Sequence, residues 1–381
     1  MKKRVLLLAG EESGLIYARR IEAELKRRFA DGVEIRGYGS YGFAVGDLAV
    51  MGFWAVIKRL FFFLKVKRTM ERAIREWPAD IVCTVDYPGM NLKLASYAKR
   101  LGRRAVHVVC PQVWAWKAGR IPRIEASLDA LCCFFPFEPA LFRPGFAEFI
   151  GHPLVEEFAD AGKPRAEGEN GRKLLAVLPG SRIGEIEHHL PVLLEAARIL
   201  RRDRELRVVI PAANEKSFAA IGSIVARSAM PSVEVQRGHA RELLLSADAA
   251  AVASGTATLE AALANCPTVL VYKVGALLAW FARLVIKGVE HVGLANIIAE
   301  KSGTPCPMPE LLQEDFTAEA VAKVLAGWLD DGDAASAERR KLAETMRLLA
   351  ADGDSISRIV DRLTGMSVSG KVQGEPEKGS L

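Results

Sequence analysis

The chain has 381 residues, 50% of them apolar and 26% charged. That is material for two or three domains with full cores, and it excludes intrinsic disorder, collagen-like repeats and low complexity as the main state. Lys plus Arg number 52 against 46 Asp plus Glu, leaving +6 at neutral pH, and no uncharged apolar run is long enough to suggest a spanning helix. The start, Met1-Lys-Lys-Arg-Val-Leu-Leu-Leu-Ala-Gly-Glu-Glu, turns polar at Glu11, too early for a secretory segment, and reads as a first core strand. Cys83, Cys110, Cys132, Cys133, Cys266 and Cys306 form no CxxC and no metal-ligand spacing. They read as reduced small hydrophobes of a cytoplasmic protein.

Taken in chain order, strands and helices alternate. Strands are expected at 5–9, 33–37, 81–86, 105–110, 130–135 and 148–151, with helices at 16–29 and 92–101 among them. Residues 160–172 are polar and Gly-rich, as in a linker. The pattern then restarts, with strands at 174–178, 206–211, 233–236, 249–253 and 268–272 and helices at 190–201 and 256–264. Alternation of this kind builds parallel sheets covered on both faces. The expectation is an α/β protein of two doubly wound Rossmann-like domains, 1–159 and 173–330, facing a ligand cleft. Helices at 331–365 are expected to pack back on the first domain, and 366–381 form a tail rich in Gly, Ser, Pro and charge.

Ligands of such sheets bind at the carboxyl ends of strands, so the chemistry is sought there. Ala253-Ser-Gly-Thr-Ala-Thr-Leu-Glu260 joins a strand to a helix; Ser254, Gly255 and Thr256 let backbone amides approach an anion, and Glu260 can reach the hydroxyls of a ribose. A plain helix start with a solvated glutamate would use the same residues. Leu178-Pro-Gly-Ser-Arg182 has a Gly180 turn, with Ser181 and the guanidinium fork of Arg182 suited to a diphosphate; it would also serve as an ordinary turn. Ala9-Gly-Glu-Glu-Ser-Gly14 places Gly10, Glu11 and Ser13 in the first strand-to-helix turn. Asp86 ends a buried strand, where a carboxylate can act as general base on a sugar hydroxyl or simply form a turn. Gln112 and Trp114, in Cys110-Pro-Gln-Val-Trp-Ala-Trp116, can face sugar and acyl chains or pack beneath a loop. His152 stands at the expected domain crossover, as ligand contact or structural hydrogen-bonder.

Val56-Ile-Lys-Arg-Leu-Phe-Phe-Phe-Leu-Lys-Val-Lys-Arg68 is basic and apolar at once, which suits an anionic membrane surface, or a core or oligomer contact. The segment 276–287 is a less basic counterpart. Gly37-Tyr-Gly-Ser-Tyr-Gly42 fits GxGxxG literally, but it follows the second strand, and no acidic residue lies between Leu48 and Met70 to hold a ribose. His188 and His189 are adjacent on a helix and cannot grip one ion. There is no Walker A sequence and no nucleic-acid module, so no nucleic-acid partner is expected.

In this order the motifs resemble the lipid-A-disaccharide synthases, glycosyltransferases of GT-B fold. The resemblance runs from Val5 to about Gln313 and rests on Pro111-Gln-Val-Trp-Ala-Trp116, Phe135-Pro-Phe-Glu138, Phe149-Ile-Gly-His152, Leu178-Pro-Gly-Ser-Arg182, Ser254-Gly-Thr-Ala-Thr-Leu-Glu260 and Pro309-Glu-Leu-Leu-Gln313. It implies an inverting transfer of UDP-activated 2,3-diacylglucosamine to 2,3-diacylglucosamine 1-phosphate, giving the β-1,6-linked lipid A disaccharide phosphate and UDP. No metal or other cofactor is implied. It further implies catalysis by Asp86, substrate contacts that include Asn296 and Gln313, and a peripheral place on the inner face of the inner membrane; an oligomer is open. The departures cluster in the first half. Leu15 stands where the family has Asp in Gly-Glu-x-Ser-Gly-Asp, Gly89 where it has the second Asp of Asp-x-Pro-Asp-Phe-Asn, and Ala55 where a glutamate is common, while the segment between Gly37 and Leu48 is shortened. A GT-B transferase with another acceptor, or a non-catalytic binder of nucleotide sugars, are the alternatives.

Overall fold

The structure is a computed structural model, and it describes residues 2–10, 12–37, 60–116, 118–160, 172–228, 230, 232–274 and 290–365. Glu11, the side chain of Ser13, most of the GxGxxG match, Ala55, residues 56–59, most of the 160–172 segment, the 276–287 segment and the tail from 366 lie outside the described residues.

Two units emerge. The first comprises Met1–Val113, Lys117–Pro153 and Ala351–Leu381, and the second Trp114–Trp116 and Leu154–Ala350. The first unit holds strands β1 (Lys3–Ala9), β2 (Val33–Gly37), β3 (Ile81–Val85), β4 (Arg104–Val108), β5 (Ala130–Cys133) and β6 (Ala147–Phe149) in the order β2-β1-β3-β4-β5-β6, all parallel. Strands β3 and β5 are buried throughout, as the apolar runs Ile-Val-Cys-Thr-Val and Ala-Leu-Cys-Cys require when helices cover both faces. One face packs Leu7, Cys83 and Val106 against Ile21 and Leu25 of helix Glu12–Phe29 and Ile359 and Leu363 of helix Ser355–Thr364. The other packs Leu6, Leu8 and Val82 against Val66, Met70 and Ile74 of helix Leu60–Glu76 and Leu94 of helix Pro88–Arg100.

The second unit holds β7 (Lys173–Leu178), β8 (Leu206–Ala212), β9 (Glu234–Arg237), β10 (Ala249–Ala253), β11 (Thr268–Tyr272) and β12 (Glu310–Leu312), parallel in the order β12-β11-β10-β7-β8-β9. In each sheet the chain winds outward in both directions from an adjacent central pair, β1 with β3 and β7 with β10. That arrangement splays the connecting loops apart at the pair's carboxyl ends and opens a crevice there.

Three expectations change. The helix expected at 190–201 runs from Ile183 to Leu200, with Pro191 inside it; Glu187 and Pro191 are exposed, so water can take the carbonyl that proline's missing N–H leaves free. The helices expected to pack on the first domain divide instead. Gly332–Arg347 belongs to the second unit, where its Ala335 joins Val321 and Leu325 of helix Ala318–Asp330 in the core, and Ser355–Thr364 alone packs on the first. The chain passes from first to second unit at Pro153 rather than near 159. Of the three consecutive phenylalanines, Phe62 and Phe63 pack against the core with ring centroids 5.8 Å apart, while Phe61 is 85% exposed.

Candidate active site

In the second unit the turns after β7 and β10 meet at one cavity of about 360 Å³, which Ser181, Arg182, Ser254, Gly255, Thr256 and Glu260 line together. Gly180 has φ +113° and Gly255 φ +153°, backbone that a side chain resists. Gly255 precedes helix Thr256–Leu263 without any side-chain cap, and Arg182 precedes helix Ile183–Leu200 likewise. Two uncapped helix starts therefore turn unpaired N–H groups and positive dipole ends toward the same space. The Ser181 and Thr256 hydroxyls make no hydrogen bond among the described residues. Arg182 Nη1 donates to Glu185 Oε1 at 2.5 Å, and the Glu185 carboxylate lies so close to Gly180 that a Cβ there would stand 2.7 Å from Oε2.

Glu260 is half-buried; burial pushes its carboxyl up, Arg241 lowers it, and Glu157 raises it. Arg241 Nη2 meets Glu157 Oε2 at 2.6 Å. The side wall is made of Ala212, Ala213, Gly238 and Ala240, small residues at the ends of β8 and β9 that present a flat shelf. Sequence reading missed them, because no polar group marks them. It also set His189 aside. That ring is buried and bridges Pro179 O (2.9 Å, Nδ1) and the Lys273 amide (3.1 Å, Nε2), tying the turn after β7 to the end of β11.

Neither Asn296 nor Gln313 lines this cavity. Asn296 is buried in helix Leu294–Ser302, with its Nδ2 donating to Met308 O (2.7 Å) and Glu310 Oε1 (2.9 Å) and its Oδ1 accepting from Met308 N (2.9 Å). Glu310 also accepts from Val292 N and Gly293 N, both at 3.0 Å. Asn296 thus fixes the loop whose Val292 carbonyl accepts from Ser254 Oγ at 3.3 Å. Gln313 follows β12 with φ +52°. Trp114 is buried, and Trp116 is 38% exposed.

In the first unit the turns after β1 and β3 interlock. A Cβ on Gly10 would lie 2.4 Å from the Tyr87 ring, and one on Gly14 3.0 Å from Val85 O and 3.4 Å from Asp86 Cβ. Asp86 (φ +54°) and Tyr87 (φ +49°) are consecutive left-handed residues, a conformation that costs roughly 1–3 kcal/mol at each non-glycine position. Asn91 holds it, donating to Asp86 O at 2.7 Å and Val85 O at 3.0 Å, while Asp86 Oδ1 accepts from Tyr87 N at 2.8 Å. Leu15 packs against the core, and Gly89 has open space around it. Gln112 is exposed. His152 is buried against Phe134 and Phe135, centroids 5.1 and 5.9 Å away, and burial lowers it to about 4.

Among the described residues one cluster could hold a metal ion. Cys110 and Cys133, at the ends of β4 and β5, and Glu138 are all buried, with ligand atoms within 4.8 Å of one another. No local spacing reveals this trio, since each residue comes from a different segment. The hydrogen bond from Cys110, burial and Glu138 push the Cys133 thiol up. Cys110 is lowered by Cys133 but raised on balance by burial and Glu138. Both sulfurs are therefore held as thiols, whose protons a metal ion would have to displace.

Among known proteins, the sequence model of the family described as lipid-A-disaccharide synthetase matches residues 5–356. The lipid-A-disaccharide synthase of Chromohalobacter salexigens is 35% identical over 391 aligned positions, covering 98% of this chain and 99% of the relative. That of Myxococcus xanthus is 36% identical over 336 positions, 84% and 86% of the two chains. In structure, the calicheamicin glycosyltransferase CalG4 superposes with a TM-score of 0.59 at 17% identity over 96% of this chain and 98% of its own. The UDP-GlcNAc 2-epimerase of Neisseria meningitidis, solved with UDP-GlcNAc, gives 0.61 at 10% identity over 95% and 100%.

Proposed function

The chain belongs to the lipid-A-disaccharide synthetase family, a family of glycosyltransferase fold that makes the lipid A disaccharide, and from that premise we propose how its residues divide the reaction. The second unit's cavity takes the UDP of the donor, diacylglucosamine linked to UDP. Its diphosphate lies against the amides at Thr256 and Ile183, with Arg182 as counter-charge, and Glu260 takes the ribose hydroxyls. Asp86 of the first unit accepts the proton of the acceptor's attacking hydroxyl. That oxygen bonds to the anomeric carbon as the carbon–phosphate oxygen bond breaks, and UDP leaves with the electron pair. Positive dipole ends and a guanidinium stabilise the charge that develops on the leaving diphosphate.

The observation that carries this reading is the meeting of Ser181, Arg182, Ser254, Gly255, Thr256 and Glu260 around one space, from motifs some 70 residues apart in the chain. The UDP-GlcNAc-bound epimerase, alike in fold, supports a nucleotide sugar as partner. Helix Leu60–Glu76 turns Phe61 and Leu64 outward beside the exposed Lys65, Arg68 and Arg72, a pairing suited to an anionic bilayer surface where acylated substrates reside. No helix among the described residues is long and apolar enough to cross a membrane.

The test is UDP release from purified protein given the acylated donor and acceptor in detergent, together with calorimetric binding of UDP. Glu260→Gln should weaken UDP binding about tenfold, the scale of losing a charge-assisted hydrogen bond. UDP binding without release would make the protein a nucleotide-sugar binder, and release with a different acceptor would relocate the acceptor chemistry.

A further inference from the structure

Outside the turns described above, the first unit carries a groove of about 320 Å³ between helices Leu60–Glu76, Pro88–Arg100 and Ile121–Ser127. Five cations line it, Lys67, Lys93, Arg100, Arg120 and Arg123, against a single acid, Glu71. Lys67 and Glu71 satisfy each other at 2.6 Å. The other four make no ion pair among the described residues; Arg100 donates only to Ser96 Oγ at 3.1 Å. Four unpaired positive charges around one concavity repel one another, and folding brings them together only at a cost that an anion would relieve. Three are arginines, whose planar forks match phosphate oxygens. Leu92 and Ile124 add an apolar floor, which free phosphate does not need but an amphiphile does.

The rim is formed by Pro88 and Gly89, in the turn that Asp86 opens. Taking the division of labour proposed above as its basis, we infer that this groove binds the phosphomonoester of the acylated acceptor sugar. The acceptor carries its phosphate on C1 and offers the hydroxyl on C6, at opposite sides of the ring. A sugar anchored by its phosphate in the groove and by its hydroxyl at Asp86 is held at both ends. The phosphate bears roughly −1.5 to −2 at neutral pH, enough to balance up to half of the charge on the four unpaired cations.

The experiment uses the full chain with Arg120→Ala/Arg123→Ala and, separately, Lys93→Glu. Lys93 is exposed on the groove wall, so this second variant tests charge without a packing defect. UDP release is measured in detergent micelles with the phosphorylated acceptor and with the same glycolipid lacking the phosphate. Both variants should raise KM for the phosphorylated acceptor at least tenfold, leave donor KM within twofold, and leave the phosphate-free acceptor unchanged. Equal shifts for both acceptors, or none, overturn the assignment. So does a loss of binding to phosphatidylglycerol vesicles, relative to phosphatidylcholine ones, with acceptor KM intact; the groove would then serve lipid headgroups. Should the wild type release no UDP at all, the functional reading fails by itself. The groove is then judged by calorimetry with glucosamine 1-phosphate, which the wild type should bind and Arg120→Ala/Arg123→Ala should not.

Discussion

In the turns after β7 and β10 of the second unit the left-handed backbone falls on glycines, Gly180 at φ +113° and Gly255 at φ +153°. In the turns after β3 and β4 of the first unit it falls on Asp86, Tyr87 and Val109, at φ +54°, +49° and +76°, while Gly10 and Gly14 are small because other groups press on them. The difference separates two ways to build a site. An anion can be held by amides and helix ends, so glycine suffices and the backbone stays relaxed. A general base, the role proposed for Asp86, must aim one carboxylate, and the first unit holds that residue and its neighbour in a left-handed turn, restrained by Asn91 through hydrogen bonds of 2.7 and 3.0 Å. Strain borne by a functional side chain, rather than by glycine, marks where geometry is being imposed.

The contrast breaks most visibly at Asp86. Replacement by Ala should lower kcat by about a thousandfold, within the range expected of a lost general base, while the UDP dissociation constant changes less than twofold. The measurement is single-turnover UDP release beside equilibrium binding. A comparable loss in both quantities would mean that the two units do not divide the work as described.

Acid should also part the two units. His107 and His152 are buried in the first; burial lowers them to about 3 and about 4 from an ordinary 6.5. A histidine lowered in the folded state binds its proton more readily when unfolded, so the stability it lends is present above pH 6.5 and is lost as pH falls toward 4. At pH 5 the pair should cost the first unit on the order of 3 kcal/mol. In the second unit Glu260 and Glu338 are raised, chiefly by burial; they take up protons more readily folded, which offsets the cost of protonating Glu195, Glu234, Glu300 and Asp330, all lowered in the fold. Calorimetry at pH 7 and pH 5 should show one transition moving down and the other holding. Two transitions falling in parallel would contradict this.

How much of this was legible in the sequence follows from how local each feature is. Apolar runs such as Ile-Val-Cys-Thr-Val at 81–85 announce buried parallel strands, because a strand covered on both faces cannot alternate. Turns such as Leu-Pro-Gly-Ser-Arg carry their chemistry in five consecutive residues. The groove cations stand at 67, 93, 100, 120 and 123, on three helices, and no window contains them all. Asn296 is a substrate contact by family resemblance, yet its amide is spent on Met308 and Glu310. Helix Ile183–Leu200 was hidden in part by Pro191, whose usual effect is to break a helix. The boundary near 350 was misplaced because helices Gly332–Arg347 and Ser355–Thr364 are both amphipathic, and pattern alone does not say which core an apolar face joins.

The smallest expected effect is the most pointed, and it lies in the second unit. Arg182, the cation assigned to the donor diphosphate, is paired with Glu185 at 2.5 Å, and its side chain is 59% exposed. Its partner Glu185 is 16% exposed; with the guanidinium in solvent the pair is worth about 1 kcal/mol, so the diphosphate can take the guanidinium over at little cost. Glu185 nevertheless remains at the cavity wall as a like charge to the ligand. Glu185→Gln removes that repulsion and frees Arg182, and it keeps a side chain of the same shape against Gly180. UDP binding should tighten roughly threefold, and less so in high salt, where surface charge is screened. Weaker binding would mean that Glu185 orients Arg182 for the diphosphate instead of competing with it. The second unit would then, like the first, depend on a side chain held in place by its neighbour.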